Sequence, residues 1–239
     1  MNVRIEEQSA ASVRATRILF ITFSLVIASL VLAGFGGTFF VPLARGTFSA
    51  AWIVYAHGAL FLTWVGLLIA QSVFVARRRT STHRRLGAVA VALIPLMVVS
   101  GVVVAFRSSA RALESGGGDS VVSAFGGELM DMLLFAVLGT AALVWRRHPQ
   151  AHKRLIVLAT LALLGAAVGR IPGIGTAANY VTFGLFLSLV GFDVRVRSAI
   201  HRATLVGGLF LLVGVFSQPS LGMTPWWLDV GRRILDGLH

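Results

Sequence analysis

Arg77-Arg78-Arg79-Thr80-Ser81-Thr82-His83-Arg84-Arg85-Leu86 closes one apolar run of this chain and opens the next. Related strings stand at Arg146–Leu155 and Arg195–His201, and in each of the three a histidine follows six positions after an arginine. A further cation follows each histidine: Arg84, Lys153 and Arg202. The first two strings share the longer form Arg-Arg-x4-His-[Arg/Lys]-Arg-Leu. A repeated supersecondary unit explains this economically, each copy joining one apolar helix to the next. The repeat predicts three helical hairpins of the same polarity, each turning at a basic loop, and hence a parallel rather than an inverted repeat.

Working outward, the chain is 239 residues long, 56% hydrophobic and only 13% charged, far from the balance of a soluble domain. Crossing the hydrocarbon core takes roughly 20 apolar residues as a helix. Seven runs approach or exceed that length, at about 18–42, 48–76, 86–106, 129–145, 155–171, 179–192 and 203–217. The expected fold is therefore all-α, a polytopic membrane helical bundle of about seven transmembrane helices. The competing count is six, with the last run lying at the interface. The expected organisation is a cytoplasmic tail over 1–16, a transmembrane domain over 17–217 and an amphipathic interfacial tail over 218–239. In that last tail Thr224 suits an N-cap and Pro225 a first helical position. Trp226, Trp227, Val230, Ile234 and Leu238 recur at near-helical spacing, and Trp52 and Trp145 fall where aromatic anchors sit. The link at 107–127 is the one long external connection, with Glu114–Ser120 reading as flexible and exposed.

The net charge of +12 would suggest nucleic acid in a soluble protein. Its placement argues otherwise. With the N-terminus inside, one side carries 15 basic residues, in the tail (Arg4, Arg14, Arg17) and the three repeat loops, and the other carries six. This is the positive-inside pattern. It predicts a cytoplasmic N-terminus and an external C-terminus in the cell's inner (plasma) membrane, with no nucleic-acid partner. The chain contains no cysteine, which excludes disulfides, thiolate metal sites and thiol nucleophiles. The first run is too long for a signal-peptide core, Glu6 and Glu7 dilute its basic flank, and it reads as a retained span.

Ionisable residues inside apolar spans point to chemistry, because placing them there is costly without partners. His57, Asp131 and Arg170 stand out. A rise of about 1.5 Å per residue puts them roughly 30, 22 and 24 Å from the basic ends of their helices. They therefore share the outer third, where an Asp–Arg pair with a nearby histidine would relay a proton, bind an anion or hold a propionate. The bland reading has Arg170 snorkelling to the headgroups and Asp131 neutralising it. At the basic side His83, Arg84, His152, Lys153, His201 and Arg202 form a second constellation, suited to anionic lipid headgroups. Three imidazoles would alternatively ligate a metal or haem. The adjacent arginines oppose a cation there, so no metal ligand is assigned, and splayed rings are expected. Haem shared between His57 and an inner histidine fails, because nearly the full core thickness separates them.

On His57-Gly58 with Trp64 and Gln71, His83-Arg84-Arg85-Leu86-Gly87, Asp131-Met132-Leu133-Leu134-Phe135, His152-Lys153-Arg154-Leu155, Arg170-Ile171-Pro172 and His201, the chain resembles an uncharacterised family of bacterial multi-pass membrane proteins. The resemblance covers roughly residues 50–208 and brings no activity with it. A looser likeness to cytochrome b561-type bundles lies in size and histidine content. The leading expectation is a small-molecule, lipid or proton-linked membrane protein using His57, Asp131 and Arg170. The alternatives are a haem- or metal-binding redox protein using the inner histidines, and a membrane scaffold or assembly subunit.

Overall fold

The computed structural model describes residues 2–237, and their side chains apart from those of 2–10 and 176. The side chains of Arg4, Glu6 and Glu7, and the whole of Leu238 and His239, thus lie outside the described residues. Among these residues there is no strand. The helices are α1 Asn2–Phe35, α2 Val41–Ala44, α3 Trp52–Ala76, α4 Thr80–Gly87, α5 Val89–Glu114, α6 Asp119–Val144, α7 Pro149–Ala162, α8 Leu164–Val168, α9 Ala178–Arg197, α10 Arg202–Gly222 and α11 Pro225–Asp236. A π-helical turn over Gly36–Phe40 joins α1 to α2. Six helical segments among the described residues are long and apolar enough to cross a membrane, which fits an integral, multi-pass membrane protein.

A seventh helix, α9, also traverses the bundle. Its Asn179 donates to Val215 O near the far end of α10, and its Asp193 accepts from Thr204 at the start of α10. Twenty residues span about 30 Å as a helix, the full core thickness. Its Thr182 and Asp193 are polar residues turned into the protein, where both are buried. With α9 counted, α1 enters at the end bearing the basic loops and α10 leaves at the opposite end.

The centre of the bundle is α7, whose residues from Val157 to Ala162 are all buried. A helix apolar all round belongs inside. The outer helices approach closely where glycines allow it. A Cβ on Gly34 of α1 would overlap the Ala167 carbonyl of α8, and one on Gly208 of α10 would overlap the Phe186 ring of α9. Gly36 and Gly37, by contrast, face open space.

Two boundaries differ from the sequence expectation. The long 107–127 link shrinks to residues 115–118, because α5 continues to Glu114 and α6 starts at Asp119. Ser-Ala-Arg-Ala-Leu-Glu tolerates helix, whereas Gly116 turns the chain with φ of 91°, open to glycine without a Cβ penalty. At the other terminus α10 runs through Pro219 to Gly222 rather than stopping near 217. Thr224 does cap α11, accepting from Trp227 N, with Pro225 at its start. One face of α11 also packs against α5 and α6. Its Leu235 is buried with Ala105, Ala110, Val122 and Phe125, and Trp227 Nε1 donates to Val122 O at 3.0 Å. Trp226 remains exposed, as do Trp52 and Trp145.

Candidate functional site

His57, Asp131 and Arg170 line one cavity of about 660 Å³ at the end opposite the basic loops. Each is delivered by a different element: His57 by α3, Asp131 by α6 and Arg170 by the chain just beyond α8. Glu128 and Gln218 join them, and much of the remaining wall is apolar, including Phe35, Phe39, Phe61 and Phe135. Gly101 makes the space, since a Cβ there would overlap Met132 Sδ and lie 3.3 Å from His57 Cε1.

The hydrogen bonds assign the free atoms. Ser100 Oγ lies 2.9 Å from His57 Nδ1 and 3.2 Å from Met97 O. The Ser100 hydroxyl can both donate and accept, so either ring tautomer satisfies the contact, and His57 Nε2 has no hydrogen bond among the described residues. Gln218 Nε2 donates to Asp131 Oδ1 at 2.6 Å. Asp131 Oδ2 has no hydrogen bond among the described residues, and a Cβ on Gly165 of α8 would be 3.8 Å from it.

The expected Asp131–Arg170 ion pair does not form among the described residues. Arg170 sits beyond the end of α8, donates Nη1 to Ala166 O and lies over the Phe35 ring at 4.8 Å. Such a cation–π contact needs no counter-ion. Glu128 lines the same cavity. Gln218 claims Asp131 because α10 outlasts the run expected from sequence. Sequence reasoning missed Gln218 and Glu128 for one reason: both fall just outside the apolar windows. The readable signal was spacing, as Glu128 precedes Asp131 by one helical turn and shares its face.

At the basic end the six expected residues divide. His83, Arg84 and His152 line a second cavity of about 710 Å³ with Gln71, Arg146 and Arg147. Lys153 leaves it, its Nζ lying 5.1 Å from the Phe20 ring centroid of α1, and Arg202 is exposed. His201 also lies elsewhere. Its Nδ1 accepts from Ala203 N at 3.0 Å, capping α10, and its own N–H donates to Asp193 Oδ2 at 3.1 Å. Burial, then the positive charges of Arg154 and Arg197, hold its imidazole below the usual value, with Asp193 opposing them and Lys153 adding a little. The three histidines of the repeat therefore end in two places, His83 and His152 on one cavity and His201 at the start of α10.

Asp193 is committed to a wholly buried ion pair with Arg154, whose Nε contacts both carboxylate oxygens at 3.0 and 3.1 Å. Arg154 Nη1 donates to Gln150 O and Oε1 at 2.8 and 2.9 Å. Thr204 Oγ1 donates to Asp193 Oδ2. Arg154 is thus not one of the solvated loop cations that the repeat suggested. It ties α7, α9 and α10 together.

Comparison with known protein families, with curated proteins and with solved structures returns no match. The chemistry of both cavities rests on their own residues.

Proposed function

We propose that this is an inner-membrane protein that binds an amphiphilic small molecule or lipid in the cavity formed by His57, Glu128, Asp131, Arg170 and Gln218. One observation carries the reading: five polar side chains from four segments converge on a single cavity with a largely aromatic and aliphatic wall. Apolar pockets with a few convergent polar groups are the usual form of small-molecule sites. His57 Nε2 and Asp131 Oδ2 are the uncommitted atoms among the described residues, and they offer a ring nitrogen and a carboxyl oxygen to a ligand's polar end. Burying such groups in the membrane is costly enough to need a purpose. Proton-linked movement of that ligand is the natural extension, since Asp131 can change charge while Gln218 holds Oδ1 in place. The charge asymmetry supports a cytoplasmic basic end, with the cavity towards the outer leaflet.

The test is mass spectrometry of organic extracts from protein purified in mild detergent. The intact protein should retain an amphiphile that His57→Phe and Asp131→Asn lose, while both variants still fold. Identical extracts from all three proteins would overturn the reading. The scaffold alternative gains no support from any residue described.

A further inference from the structure

The second cavity contains an anomaly that the first does not. Gln71 Nε2, Gln71 Oε1 and His83 Nδ1 are all shielded from solvent and have no hydrogen-bond partner among the described residues. Leaving such groups unpaired costs free energy for each one, and Gln71 contributes both a donor and an acceptor. The amide sits beside Gly87 of α4, where a built Cβ would be 3.5 Å from Nε2. His152 faces the same cavity. Its Nδ1 lies 2.8 Å from Ala142 O, and a carbonyl only accepts, so Nδ1 carries the proton and Nε2 has the free lone pair.

Charge and depth narrow the occupant. Arg84, Arg146 and Arg147 border the polar part of the cavity, and no carboxylate among the described residues lines it. Trp64, Leu67, Leu68, Val91 and Ile156 line the rest, and these belong to the spanning helices. An oxyanion would meet the arginines and the Gln71 amide donor. A hydroxyl on the same group would meet Gln71 Oε1 and the histidine lone pairs. An acyl chain would fill the apolar part.

We propose that this cavity binds a phosphate group bearing a neighbouring hydroxyl, as in a glycerol-phosphate headgroup, with Gln71, His83 and His152 reading it and Arg84, Arg146 and Arg147 neutralising it. The shared chemistry could be carried by a lipid or by a free glycerol phosphate. Arginine suits the anion because it offers several donors in a fixed plane. Gln71 is a binding residue here, not a packing one. Its two unpaired atoms acquire partners only when the site is filled.

The experiment uses the full chain in a neutral detergent, with thermal unfolding followed on adding phosphatidylglycerol, phosphatidylcholine or soluble glycerol phosphate. Phosphatidylglycerol should raise the unfolding temperature and phosphatidylcholine should not. Glycerol phosphate matching the lipid would assign a soluble source, whereas a rise with the lipid alone would assign the membrane. No response to either anion would overturn the proposal.

Two variants separate binding from folding. Gln71→Leu removes both unpaired atoms, so it should be at least as stable as the parent without ligand while binding phosphatidylglycerol on the order of tenfold more weakly. A Gln71→Leu protein that is destabilised yet keeps the full lipid response would overturn the assignment. Arg84→Gln should weaken the response with little change in unliganded stability, and an unchanged response would count against the site. Asp131→Asn, in the other cavity, should leave the lipid response intact, so failure of one site is distinguishable from failure of the other. A Soret band or stoichiometric transition metal lost on His83→Ala would replace the phosphate reading with a haem or metal site.

Discussion

Replacing Asp193 by Asn should be among the most damaging single changes in this protein. Both partners of the Arg154–Asp193 pair are wholly inaccessible, with side-chain exposures of 0% and 0%. Asn keeps the size of the side chain and can still accept from Thr204 and from His201 N–H, but it removes the counter-charge. Arg154 would remain buried, bonded only to Gln150. Breaking a buried pair by removing one partner typically costs about 3–5 kcal/mol, mostly as the penalty of the stranded charge. For a chain of this size each kcal/mol corresponds to roughly 2–4 °C. The expected fall in unfolding temperature is therefore about 6–20 °C, measured in detergent by tryptophan fluorescence or scanning calorimetry. Arg154→Met combined with Asp193→Leu should recover much of that loss, because neither charge is then stranded. A loss below about 1 kcal/mol for Asp193→Asn, the scale of a solvated pair, would refute the reasoning. So would a double variant as damaged as the sum of its singles.

Four further outcomes follow from particular contacts. His201 accepts a proton-bearing N–H at Nδ1, and its imidazole is held below the usual 6.5, so the unfolded chain binds the proton first. Its contribution is complete above about pH 6.5 and is lost as pH falls below that value. Unfolding temperature against pH should show this loss, and His201→Asn, which keeps an N-cap, should flatten it. Asp131→Asn and Gln218→Leu should be non-additive in a double-mutant cycle, whereas Asp131→Asn and Arg170→Gln should add within about 0.5 kcal/mol, since no bond joins them. Gly34→Ala should cost about 1–3 kcal/mol by forcing α1 off Ala167 O, measured against Gly36→Ala, which meets open space and should be tolerated. Reporter fusions at the two termini should report opposite compartments, and a shared compartment would remove the odd number of crossings.

Much of the site was legible, unevenly. His57, Asp131 and Arg170 were readable because ionisable residues in apolar runs are conspicuous, and their depth follows from counting residues. Glu128 and Gln218 were hidden by position, lying where an apolar run fades and a helix does not. A hydropathy window ends at the last apolar residue, but a helix continues until its backbone hydrogen bonds are interrupted, here at Gly116 to Gly118 and beyond Gly222. Arg154 was misleading for the opposite reason. It stands within a basic string, yet its position in the second turn of α7 points it inward to meet Asp193.

The amino-acid sequence by itself determined the helical class, the order of the apolar runs, the end that gathers positive charge and the approximate depth of each buried charge. These are properties of position along a helix axis, and a fixed rise per residue converts sequence number into height. Only the tertiary structure decided what lies beside what at a given height. Rotation about each axis and the choice of neighbouring helix depend on how side chains pack, as where Gly34 admits Ala167 and Gly208 admits Phe186. For this reason three matching histidines ended in two places, with His83 and His152 on one cavity and His201 capping a helix. It is also why Asp131 found Gln218 instead of the arginine at its own depth.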